Sequence, residues 1–132
     1  MKITFCDLEK KYKINWQSSS SSSSLTEWYS SIRNTPVESL AVGDLCRAIR
    51  QGIYVLEVVP VALEFLREDF LAGFKYDGEL IVALGELSSE FWSENRVMAD
   101  EVFLIVDSFV YSGIDASLAI DILVLKERTR GR

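Results

Sequence analysis

No histidine occurs anywhere in the chain. That removes Ser-His-Asp and Cys-His nucleophile systems and nucleases built on paired histidines. His-ligated zinc goes with them, and two cysteines, Cys6 and Cys46, are too few for an all-thiolate zinc site, which takes four. Far apart in sequence, the two thiols are expected to stay reduced and partly buried, with a disulfide between them as the alternative. There is no Gly-rich phosphate loop, no dinucleotide turn and no series of calcium ligands. Hairpin turn signals between alternating apolar runs are missing too, which argues against a sheet. The longest dense apolar run, residues 53–66, is shorter than the roughly 20 residues a membrane span needs, and it carries Glu57 and Glu64. The first residues have no apolar stretch of the secretory kind, so a cytoplasmic location is expected.

What is present is a globular composition with an uneven charge. Residues 1–50 carry a net charge of +2, residues 51–110 a net of −9, and residues 111–132 a net of +1. The whole acidic excess lies in the middle. Nucleic acid and anionic membranes call for basic surface, so direct binding to either is not expected. An acidic field suits a basic protein partner, though it also serves plain solubility.

Along the chain the apolar spacing is helical. Thr4 and Asp7 resemble a capping pair for a short helix whose Phe5, Leu8 and Tyr12 share a face, within an N-terminal segment 1–16. Residues 17–24 are serine-rich and specify no packing, so they read as a flexible linker. The remaining 25–132 read as one helical domain. Thr26 is a candidate cap for a helix to Asn34, ended by Thr35-Pro36. Val42, Leu45, Cys46 and Ile49 give a clean amphipathic helix that Gly52 stops. In the apolar run, Pro60 suits a first turn, which predicts an irregular segment 53–56 and a buried helix over about 58–68. A strand over 53–59, with its β-branched residues, is the alternative. Asp77-Gly78 marks a turn before a helix from Glu79 to Leu87. A short helix to Glu94 follows, then one over Arg96–Tyr111 with Met98, Val102, Ile105 and Phe109 inward and Leu104 and Val106 broadening the face. A last helix, capped by Asp115 or Ser117, runs to about Arg128 with Leu118, Ile122 and Leu125 inward. The sum is an all-α fold: a single compact bundle of several short helices around a central buried helix, about residues 58–68.

Paired carboxylates could do acid/base work, and Glu57 with Glu64 or Asp77 with Glu79 are the candidates. No companion motif supports them, and helix edges and caps explain them as well. Arg47 and Arg50 could hold an anion or pair within the domain. No metal or cofactor is expected.

An ordered series of blocks carries a resemblance: TPVESL from Thr35, VGDLCRAIRQG from Val42, VVPVALEFLRED from Val58, YDGELIVALGEL from Tyr76, and Phe91-Trp92. In these the chain resembles the immunity proteins of bacterial contact-dependent growth inhibition systems. Phe70, where the family pattern leads one to expect proline, departs from it. The resemblance implies a small helical, non-enzymatic protein that binds the C-terminal toxin domain of a delivered effector in the cytoplasm. Such toxins are commonly nucleases, RNases among them, with basic surfaces. Asp44, Leu45, Arg47, Gln51, Pro60, Leu63, Tyr76, Asp77 and Leu80 match the pattern as scaffold positions, and no catalytic residues carry over. Toxin contacts are therefore chosen from charge and nearness to turns: Asp69, Glu79, Glu86, Glu90 and Glu94. A helical adaptor for an unrelated protein, or a carboxylate-based enzyme, are the other readings.

Overall fold

The computed structural model describes residues 2–17, 23–109 and 113–131. Among these, eight α-helices and one 3-10 turn make up the regular structure, and no strand is present. The all-α class is therefore the observed one. The chain divides into two units, residues 1–41 and 42–132.

In the first unit, α1 (Phe5–Lys11) begins on the expected capping pair: Asp7 N–H donates to Thr4 Oγ1 and Thr4 N–H donates to Asp7 Oδ2, each at 3.0 Å. It ends in a Schellman closure, Ile14 N–H to the Glu9 carbonyl and Lys13 N–H to that of Lys10. Lys13 holds the left-handed position there, with φ 57°. α2 (Ser24–Ile32) starts earlier than the sequence suggested, because Ser23 rather than Thr26 caps it by accepting from Thr26 N–H. The expected linker, 17–24, falls largely on residues 18–22, which lie outside the described residues. Phe5 stacks on Tyr29 and Trp16 tilts against the same ring. Glu9 is buried beneath them. Its carboxylate accepts from the Tyr29 hydroxyl at 2.6 Å and from the Arg33 guanidinium, which pairs with it. Those bonds, the one from Arg33 foremost, hold the Glu9 pKa below its ordinary value against the opposing effect of burial.

The second unit contains α3 (Val42–Arg50), α4 (Val55–Glu68), α5 (Glu79–Gly85), α6 (Ser89–Glu94), α7 (Arg96–Asp107) and α8 (Ala116–Thr129). α3 buries Leu45, Cys46, Ala48 and Ile49 and closes on left-handed Gly52. α4 begins three residues before the expected start. The Tyr54 carbonyl accepts from Glu57 and Val58 N–H, nucleating a turn ahead of Pro60. Pro60 lies on the exposed side of the helix, and its missing N–H takes away the usual helical partner of the Leu56 carbonyl. The strand alternative for this stretch is excluded by the same helix.

α4 packs on α3 and α7 through one stripe: Val58, Val59, Ala62, Leu63 and Leu66. Leu56 stays 47% exposed, so the run is amphipathic rather than enclosed. The helix enclosed on most sides is α5, between α3 and α8, with Glu79, Leu80, Ile81, Ala83 and Leu84 all buried. α7 buries Ala99, Val102 and Val106; Val102 and Val106 are among the expected residues, Ala99 is not, and Met98 and Ile105 are only half-buried. Phe109, just beyond it, stacks on Phe70 at 3.9 Å between centroids. α8 packs on α5, α6 and α7 through Leu118, Ile122, Leu125 and Thr129, capped by Asp115 as expected. Trp92 of α6 is fully buried and meets Phe91 edge-on; its indole N–H has no hydrogen-bond partner among the described residues.

Candidate functional site

Glu79 opens α5 and is 1% exposed. Its carboxylate accepts from Arg50 Nη1 at 2.8 Å, Phe74 N–H at 2.8 Å and Lys75 N–H at 2.9 Å. Arg50 also donates to the Tyr76 hydroxyl at 3.2 Å. The group ties the 70–78 loop to α3 and α5. Burial alone would raise the Glu79 pKa; the bonds from Lys75, Arg50 and Phe74 outweigh it and lower the pKa. A carboxylate held ionised and walled in can neither meet a partner's surface nor serve as a general acid. Glu79 is therefore withdrawn from the contact candidates, and the Asp77–Glu79 acid/base pair with it. Asp77 does not cap α5 either: the cap position before the helix is Gly78, φ 84°, with no side-chain cap. Glu64 of the other candidate pair is bound to Arg67. Of the two candidate anion-binding arginines, Arg50 is committed to Glu79.

The four other candidates are exposed. Asp69 ends α4, with its Oδ1 accepting from Leu71 N–H at 3.0 Å. Glu90 and Glu94 stand one turn apart on α6, where like charges four residues apart repel. Glu86 follows α5 and lines a concavity with Asp121 and Arg128 of α8. The structure thus joins Glu86 to Asp121, which is not among the residues expected from charge and nearness to turns.

Many cations of this unit are already engaged. Arg67 bridges Glu64 and Glu101, Arg96 binds Asp100 and the Thr129 carbonyl, Lys126 binds Asp107, and Arg128 donates to the Leu87 carbonyl. Glu86, Glu90 and Glu94 of the acidic middle segment, and Asp121 of α8, make no ion pair with a described residue, and the three glutamates are exposed. No helix among the described residues is long and apolar enough to cross a membrane.

The family model for CDI immunity proteins matches residues 10–102, most of the chain. The chain belongs to this family, whose members confer immunity in contact-dependent growth inhibition. No curated protein matches the chain. The expected resemblance thus holds over a longer segment than the blocks that suggested it, reaching from α1 into α7.

Proposed function

We propose that this protein is a binding inhibitor that neutralises the C-terminal toxin domain of its cognate effector, a basic nuclease, in the cytoplasm. It does so without chemistry of its own. The family match carries this reading. The acidic surface supports the choice of a basic partner: carboxylates without internal cations attract one over long range and speed encounter. Asp69, Glu86, Glu90 and Glu94 are the contact candidates, covering the toxin's active site or substrate surface. The absence of histidine and the internal use of Glu79 weigh against a carboxylate enzyme.

The test is co-expression with the toxin domain encoded immediately upstream. Cells carrying both should survive, and cells carrying the toxin domain alone should not. Killing that continues at equal expression of both proteins would refute immunity. Survival without a physical complex would refute inhibition by binding.

A further inference from the structure

α8 carries two apolar faces. Leu118, Ile122 and Leu125 point into the unit and are buried, while Ile120, Leu123 and Val124 lie on the opposite side, 62%, 53% and 39% exposed. One face suffices to pack a helix against its neighbours, and a second one in water calls for another explanation. This outer face borders a concavity of about 400 Å³ lined by Val82, Gly85, Glu86, Asp121, Val124 and Arg128. A second concavity, about 320 Å³, shares Val82 and Asp121 with the first and extends it to Asp77, Ile114 and Asp115. Together they make one trough along the α5–α8 seam. Its floor is aliphatic and its walls hold four carboxylates, Asp77, Glu86, Asp115 and Asp121. The one cation among the described lining residues, Arg128, donates to the Leu87 carbonyl at 2.9 Å.

We propose that this trough and the outer face of α8 are the docking site for a segment of the toxin domain that carries apolar side chains flanked by lysine or arginine. The proposal rests on the inhibitor reading above and locates it. Charge complementarity selects the occupant. The aliphatic floor takes the apolar side chains, and the carboxylates on either wall take the flanking cations. A second copy of this chain would set carboxylates against carboxylates. α8 also lies beyond the segment matched by the family model, so the site joins a wall within that segment to one outside it.

The probe is the purified, catalytically inactivated upstream toxin domain, titrated against the full chain and three variants. Ile120→Asp/Leu123→Asp alters the apolar face, Glu86→Gln/Asp121→Asn neutralises the walls, and Lys2→Gln/Glu38→Gln alters exposed positions of the first unit instead. All six positions have solvent-facing or groove-lining side chains, and thermal melts confirm folding; the wall variant preserves shape if the first pair disturbs it. The expected result is a loss of about 30-fold or more in affinity for the face variant. The wall variant should lose about tenfold, mostly in association rate, with the first-unit variant within about threefold of the parent. Parent-like binding by both the face and wall variants would overturn the site while leaving the inhibitor standing. So would self-association of the parent through α8 with toxin binding undisturbed by the variants. A parent chain that neither binds nor protects would overturn the inhibitor reading, and the docking site with it.

Discussion

Replacing Glu79 by alanine removes the acceptor of three hydrogen bonds at once. Arg50, Phe74 N–H and Lys75 N–H, at 2.8–2.9 Å, lose their common partner in a site where the carboxylate is 1% exposed. Hydrogen bonds to a charged group contribute about 1.5–3 kcal/mol each in net terms, and breaking a buried pair from one side costs about 3–5 kcal/mol. Arg50 and the loop amides recover some of that by turning to solvent, since Arg50 is only partly buried. The expected loss is about 3 kcal/mol, or about 10–15 °C in melting temperature for a chain of this size. Glu79→Gln keeps the shape and one acceptor oxygen, and should lose about 2 kcal/mol. Urea unfolding and thermal melts of both variants, beside Glu90→Ala as an exposed reference within about 0.5 kcal/mol of the parent, measure this. A Glu79→Ala protein as stable as the Glu90→Ala reference would show that the carboxylate is not the anchor of the 70–78 loop, and would return Glu79 to the surface candidates.

The same group shapes the acid limb of stability. Glu79 and Glu9 both titrate below the ordinary glutamate value of 4.5 in the folded protein, so the stability they give is complete above that pH and is lost as pH falls through their folded values. Urea midpoints should therefore be flat in these groups from pH 7 to about 5 and decline below about 4.5, less steeply in Glu79→Gln. Gly78→Ala should cost about 2–3 kcal/mol in the same assay, because φ is 84° there and an added Cβ would lie 2.6 Å from Leu118 Cδ1. Cys46 is buried and its thiol is pushed up to about 12, by burial first and the Glu79 charge second. It should resist a thiol-specific reagent at pH 8 in the folded protein and react once urea unfolds it; rapid labelling under native conditions would contradict its placement.

Local chemistry made the helices legible, while pairwise geometry concealed the site. Thr4 with Asp7, Gly52, Asp77-Gly78 and Asp115 each carry out their turn or cap within a few residues, so their signals survive in a single sequence. Pro60 misplaced the start of α4 because its tolerance depends on which side of the helix meets solvent. Hydropathy favours Leu104 over the small Ala99, yet Ala99 is fully buried and Leu104 exposed. Glu79 was read as surface because it is charged. Its burial depends on Arg50, 29 residues away, and on two loop amides, none of which a spacing pattern reveals. The second face of α8 did leave a signal. Ile120, Leu123 and Val124 interleave with the inward residues, and a helix apolar on opposite sides, with Asp121 at the edge, marks a surface beyond what its own packing uses.

The most direct measurement is the association rate of this protein with its upstream toxin domain across a salt series from about 50 to 500 mM. Opposite charges steering the encounter should give a one-to-one complex whose association rate falls by about tenfold or more over that range, while dissociation changes little. No complex at micromolar concentrations would contradict the claim that the chain is a toxin-binding inhibitor. A tight complex formed at the same rate throughout would contradict the acidic surface as the means by which it finds its target.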